Sequence, residues 1–434
     1  MKRILLYICL LTCLMYGCKK DNDPILADPD TRLAAELEKD QALLLSATNG
    51  WFATIYPVGG KGFSFYFSFG ADGKVNMLSD FNNTSSSVMA ESTYRLKALQ
   101  RPTLIFDGYN YIHLPADPNS SVSGGANATG LKSDFEFAFA ELIKDSLKVE
   151  GIVNKNVMFM VKATAEEAQK LKAGGLKTIV DATNTFLGVN KFPYFQFADG
   201  LKNAFSLNVS TKSAIFLSLN DKGERVSQNL KFAFTSTGIV FNMAIKYGSN
   251  VFKEMLWDAA NKQYYINVNG TRINLLNSTT PIDPLAPIFG PGKDYSQIEY
   301  NPAVVSPSLS ADFVAKYNQA KANLLPSGRG LTKLLTTFNI DNTMTMTVSY
   351  TLSGGNSFTT LLYDVAKDAN GYLKLTFKSG GTSIVNPAIK PITDLLEGGL
   401  LKVDWVTNPG SGASYGGLYS VTTPTSFYYG TLIK

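Results

Sequence analysis

Phe63, Phe65, Phe67 and Phe69 alternate with Ser64, Tyr66 and Ser68. A side-chain period of two sets the four phenylalanines on one face of an extended strand, and a helix cannot reproduce it. Such a strand buries its apolar face only inside a sheet that meets a second layer or closes on itself. Tyr66 falls on the opposite face, so its truncation is expected to cost less than that of Phe67. Asp72-Gly73 supplies a hairpin turn, with a returning strand over 74–78. Further strands are expected over 93–98, 103–106, 135–142, 146–149 and 157–162.

Helices frame this run. From Thr31, Leu33, Leu37 and Leu44 share one stripe, and Gly50 ends the pattern. Thr164 with Glu167 three residues on is a capping box for a second helix, which Gly174-Gly175 ends. One short helix closing a run of antiparallel strands suggests a barrel or a strongly curved sheet. Later, two stretches share a faint pattern of hairpin, apolar helical turn and returning strand. The first has its turn at 252–257 and its strand at 264–268; the second has its turn at 389–396 and its strand at 400–405. Between them Pro281, Pro284, Pro287, Pro291, Pro302 and Pro307 exclude a central strand and read as an extended crossover. Ser310 then caps a third helix with Phe313, Tyr317, Ala320 and Leu324 on its narrow apolar face.

The expected fold class is therefore mainly β. A barrel-like or curved-sheet N-terminal domain spans residues 31–175. A larger antiparallel β region with a few short helices spans 176–434, its two halves joined by the Pro-rich crossover at about 281–307.

The N-terminus reads as an address. Lys2 and Arg3 precede an apolar run from Ile4 to Tyr16, too short for the roughly 20 residues of a membrane span and matching a secretory signal over 1–17. Leu14-Met15-Tyr16-Gly17-Cys18 resembles a bacterial lipobox, with Met15 where Leu is commoner, which implies lipidation of Cys18. Residues 18–30 hold two prolines between acidic residues and form a tether. Lys20-Asp21-Asn22-Asp23 partly resembles the charged tract that directs Bacteroidota lipoproteins to the cell surface; a solvated linker fits it equally. The expected location is the outer membrane, with surface or periplasmic orientation open.

Composition excludes several activities. The three cysteines are Cys9, Cys13 and Cys18, and the single histidine is His113. The folded body thus has no disulfide, no Cys-based metal site or nucleophile and no His-rich zinc site. A net charge of +5, dispersed over 434 residues, does not suggest a nucleic-acid partner. No cofactor is implied.

An ordered set of motifs then carries a family likeness. Asn49-Gly50-Trp51 follows the first helix. Phe65 to Gly73 reads FYFSFGADG. Pro102 to Asp107 leads into Tyr109-Asn110-Tyr111-Ile112-His113-Leu114, and Asp134-Phe135-Glu136-Phe137 comes after Asp117-Pro118. In order and spacing this resembles the Bacteroidota lipoproteins catalogued as domain of unknown function 4302, most densely over 33–162. The resemblance implies a lipoprotein without assigned activity, encoded near uptake components of the SusC and SusD type. That suggests a role in substrate acquisition and transfers no catalytic residue.

Candidate site residues are few. Asp134 and Glu136 flank Phe135, and residues i and i+2 of a strand lie about 6.6 Å apart on one face. A cation or hydrogen-bond face, a hydrolytic pair, and two acids in water beside a core of Phe135, Phe137 and Phe139 are the alternatives. His113 lacks a nucleophile motif and reads as structural. Tyr109/Tyr111, Tyr264/Tyr265 and Tyr428/Tyr429 fall near strand ends or turns, where aromatic rings contact ligands. The leading function is a lipid-anchored binding or accessory protein for glycan or peptide acquisition, held to the membrane by acyl chains on Cys18. The alternatives are a glycan or peptide hydrolase and a structural component of an outer-membrane complex. A Cys18→Ser precursor is expected to lose incorporation of labelled palmitate and to remain unprocessed; labelling that survives the substitution overturns the assignment.

Overall fold

The computed structural model describes residues 28–434 apart from positions 221 and 223. Cys18, the signal segment and most of the tether lie outside them. Among the described residues no helix is long and apolar enough to cross a membrane. The chain divides into two compact units between Lys177 and Thr178. As expected, it is mainly β, with a barrel first and a larger antiparallel region after it.

In the first unit, Asp28 caps helix α1 (Pro29–Leu45), its carboxylate accepting from the Asp30 N–H. The helix begins two residues before the expected Thr31. Eight strands then close an antiparallel barrel: β1 (Trp51–Ile55), β2 (Phe63–Phe69), β3 (Lys74–Ser79), β4 (Ala90–Ala98), β5 (Pro102–Phe106), β6 (Glu136–Ile143), β7 (Ser146–Gly151) and β8 (Val157–Lys162). Strand β1 pairs with both β2 and β8, so no edge is left open. Phe65 and Phe67 stack inside the barrel at 5.5 Å. Of the expected leucine stripe on α1 only Leu44 is fully buried; Leu33 is exposed. The Trp51 indole N–H donates to the Leu44 carbonyl at 2.9 Å and seats the helix end at the start of β1. At the other end of β1, the segment that follows β5 closes the barrel. Its 3-10 helix Tyr111–Ala116 brings Ile112 into the core with Leu131, whose carbonyl accepts from the Gly59 N–H at 3.0 Å.

Tyr66 corrects the expectation of an open outer face. It points away from Phe65 and Phe67 yet is fully buried. Its hydroxyl donates to the Asn49 carbonyl at 2.8 Å, and the Lys172 ammonium lies over its ring. Gly50 makes this fit possible. It holds φ at +81°, and a Cβ there would strike the Tyr66 ring and the Phe67 carbonyl. Lys172 ends helix α2 (Ala165–Lys172), which carries the expected Thr164–Glu167 capping box. Gly174, at φ +83°, ends that helical path, but Gly175 opens a new helix, α3 (Gly175–Val189). The glycine pair is a junction between two helices rather than a final stop.

The second unit holds two further sheets. The first has nine strands: β9 (Pro193–Gln196), β10 (Lys202–Asn208), β11 (Ser213–Leu219), β12 (Arg225–Phe234), β13 (Gly238–Tyr247), β14 (Asn250–Asp258), β15 (Gln263–Val268), β16 (Thr271–Asn274) and β17 (Leu276–Asn277). Its outermost strands are β16 and β17, which are separated in sequence by Leu275 alone. One bent segment thus pairs with β15 on one side and with β9 on the other. The sheet is rolled round its aromatic residues: Phe195 on β9 touches Phe252 on β14 at 5.7 Å, and Phe205 on β10 touches Phe241 on β13 at 6.0 Å. We call it the middle barrel. The expected helical turn at 252–257 is strand β14, so the proposed repeat of hairpin, helical turn and strand is not built. A run of Phe, Met, Leu and Trp with charged neighbours reads either way by periodicity.

The last sheet is again a closed eight-stranded barrel: β18 (Gln297–Tyr300), β19 (Arg329–Phe338), β20 (Thr343–Leu352), β21 (Gly355–Lys367), β22 (Leu373–Gly380), β23 (Leu400–Thr407), β24 (Ser414–Ser420) and β25 (Phe427–Ile433). Helix α4 (Ala311–Leu324) is capped by Ser310 and buries Phe313, Tyr317, Ala320 and Leu324, the apolar face expected from their spacing. It packs on helix α5 (Lys390–Glu397).

Phe67→Ala and Tyr66→Ala are each expected to lower unfolding free energy by about 3–5 kcal/mol, as truncation of buried aromatic residues does. Denaturant titration checks this; a Tyr66→Ala loss below about 1 kcal/mol would mean that the outer face of β2 is open.

Candidate functional site

What closes the ends of each barrel distinguishes the three. In the first, α1 covers one end and the segment after β5 the other. In the last, α4 follows β18, with Tyr300 and Phe313 edge to face at 4.7 Å, and the Tyr317 hydroxyl donates to the Thr332 carbonyl. At the opposite end Leu285, Ile288 and Phe289 enter the same core, Phe289 meeting Phe338 at 5.2 Å. Among the described residues the middle barrel has one cover. Helix α3 lies at the β14–β15 end, where Phe186 packs on Tyr264 and Trp257 and the Thr183 hydroxyl bonds the Tyr264 hydroxyl at 2.5 Å. At the other end the connections are residues 197–201, 220–224, 248–249 and 269–270, too short to fold over it.

This uncovered end is a cleft of about 960 Å³, within the size range of small-ligand sites. Phe197 and Tyr247 form its aromatic floor, rings 4.9 Å apart. Leu201, Leu219 and Val226 line it and are 56%, 42% and 43% exposed. Val226 sits opposite the buried Ser218 and Gln228 opposite the buried Phe216, so the inward row of β12 runs out into the cleft without a covering layer among the described residues. Below, Phe195, Phe205, Phe216, Phe241 and Phe252 are buried and fill the interior. The cleft is a mouth, not a shaft.

Several polar groups at the mouth are engaged within the protein. The Tyr247 hydroxyl donates to Asp199 at 2.6 Å; burial first, and then this carboxylate, push its pKa upward. Asn220 accepts from the Lys222 and Glu224 N–H groups of its own turn. Gln228 bonds Lys246 twice, its Nε2 donating to the carbonyl at 2.8 Å and its Oε1 accepting from the N–H at 3.0 Å. Those two bonds stand where the ladder between β12 and β13 is missing. That ladder covers only 232–234 against 239–241, while β12 pairs with β11 down to Arg225. Asn242 bridges the same split, its Oδ1 accepting from the Lys231 N–H at 2.8 Å.

The residues singled out in the sequence lie elsewhere. Asp134 and Glu136 do not share an open face. Asp134 precedes β6 and is buried, accepting from the Val153, Asn154 and Asn156 N–H groups and from the Asn156 amide at 2.7 Å. A Cβ at Gly151 would overlap its Oδ2. Phe135 is correspondingly partly exposed instead of in the core. The expected shared carboxylate face is therefore not built, and no cluster of three His, Cys, Asp or Glu occurs among the described residues. His113 is structural. Its Nδ1 accepts from the Asn110 N–H and its Nε2 faces the Phe106 carbonyl, both at 3.2 Å, and burial lowers its pKa. Tyr109 is 64% exposed, stacks on His113 at 5.5 Å and bonds Asp117; burial and that carboxylate push its pKa up to about 12. Tyr111 is half-buried against the core. Tyr428 and Tyr429 are corrected outright: both are fully buried, their hydroxyls donating to the Ile298 and Ser306 carbonyls at 2.9 and 2.7 Å. Tyr264 is buried under α3, and Tyr265 lies under the Arg272 guanidinium. No local motif marks the mouth, because its residues come from three separate connections and the strand ends beside them.

The profile of the family described as "Domain of unknown function (DUF4302)" matches residues 26–259. No curated protein matches the chain. Among solved structures, a protein of unknown function from the DUF3598 family of Nostoc punctiforme is similar at 9% identity, over 74% of this chain and 96% of that one. Its TM-score is 0.15.

Asp134→Ala is expected to destabilise the first barrel by about 2–4 kcal/mol, because several buried donors lose their acceptor. Glu136→Gln, at a half-buried position, is expected to change stability by less than about 1 kcal/mol. Thermal unfolding of the two variants checks the contrast.

Proposed function

The chain belongs to the DUF4302 family, and from that premise we propose that it is a lipid-anchored binding or accessory protein of the outer membrane that captures nutrient molecules, glycan or peptide. The observation that carries this reading is the one barrel end left without a cover among the described residues. Large aliphatic side chains and the half-buried Tyr247 ring stand at a concave site open to water, an arrangement that soluble proteins keep for contact with something else. The two carboxylates offered for a hydrolase support that alternative no longer, since one is wrapped in backbone donors. Capture without chemistry needs none of these groups, and acyl chains on Cys18 would hold the mouth near an uptake channel of the SusC and SusD type.

A screen of the mature protein against glycan and peptide panels tests the reading. Binding without turnover is expected, weakened at least about tenfold by Tyr247→Ala or Val226→Asp, as loss of a central aromatic or apolar contact does. Turnover of a polymer would favour the hydrolase, and recovery of a membrane partner with no small ligand would favour a structural role.

A further inference from the structure

We propose that the split between β12 and β13 is a slot for an extended peptide, which adds as a strand between them and lays alternate apolar side chains into the mouth. The proposal rests on the mouth being the binding site and narrows its ligand to a peptide. Three observations converge on it.

The first is the state of the backbone. The Thr235 N–H donates to the Gly238 carbonyl and the Lys231 N–H to Asn242, so odd-numbered residues of β12 aim their backbone groups at β13. Ser227 and Asn229 continue that row with no ladder partner on that side among the described residues. Unpaired edge groups are a template for another strand. The second is Gln228. Its amide donates to and accepts from one residue, Lys246, as a paired backbone residue does in a ladder. The side chain reaches across the gap and stands in for a strand. The third is chemical selection. A glycan needs several side-chain partners for its hydroxyls, and three of the polar side chains best placed for that, Gln228, Tyr247 and Asn220, already have internal ones, leaving Lys246, Ser249 and Asn250 at the rim. An acyl chain needs depth, and the ring-filled interior leaves none. A β-strand brings its own hydrogen-bonding groups and sends every second side chain inward, onto Phe197, Tyr247, Leu201 and Val226.

Fluorescence anisotropy of the full mature protein with a fluorescein-labelled Leu-Ser-Phe-Ser-Leu peptide tests this, with near-ultraviolet circular dichroism confirming the fold of each variant. Saturable binding is expected, abolished by N-methylation of alternate peptide amides. Gln228→Ala is expected to strengthen it by about two- to tenfold, because the peptide no longer competes with one or two neutral hydrogen bonds. Exchange of the Ser227 and Asn229 amide hydrogens should slow when peptide is added. Binding indifferent to N-methylation, or weakened by Gln228→Ala, overturns the slot. A linear glucan heptasaccharide that binds and is lost in Tyr247→Ala, with no peptide binding, leaves the mouth as the site and overturns the slot alone. If neither ligand binds, both readings fall.

Discussion

An antiparallel sheet ends in rows of unpaired N–H and C=O groups, and everything else in this molecule follows from how those rows are satisfied. The first and last barrels do it by closure, β1 meeting β8 and β18 meeting β25. The middle barrel uses one bent segment, Thr271 to Asn277, to serve two neighbours at once. Closure removes the edges but creates ends, and each end exposes the tips of an apolar interior. Helices and ordered connections then become necessary covers, which is why a mainly β chain carries helices where barrels begin.

The same logic isolates the site. Among the described residues five covers serve six barrel ends, and the end without one is where aliphatic side chains and the half-buried Tyr247 ring meet water. It is also next to the place where a ladder stops short. A barrel whose wall is incomplete at an uncovered end combines apolar surface with backbone hydrogen-bonding capacity, and neither feature occurs alone on the described mouth.

Much of this architecture was legible in the residues. The Phe63–Phe69 alternation identified β2 and its inner face, and the Ser310 cap with its apolar spacing identified α4. Period two says which way a side chain points, not whether another layer waits there, so Tyr66 was read as open when Asn49, Gly50 and Lys172 enclose it. Helix α3 was hidden because Gly174-Gly175 signals a stop equally well when a second helix follows. Asp134 was misread for a different reason: its partners lie in the hairpin near residues 153–156, and long-range pairing leaves no trace in local pattern. Tyr428 and Tyr429 sit by sequence near the end of the chain, but the barrel folds that last strand into its own core. The mouth is assembled from connections far apart in sequence, and a missing stretch of ladder is a property of two strands at once.

The amide of Gln228 has one more consequence. Being tethered, it competes for Lys246 at the high effective concentration of an intramolecular group, so a solute offering a single amide does not displace it. Only a chain long enough to form several bonds in register gains more than the glutamine loses. On the proposed slot, the side chain would therefore act as a length filter, keeping free amino acids and solvent amides from occupying the wall.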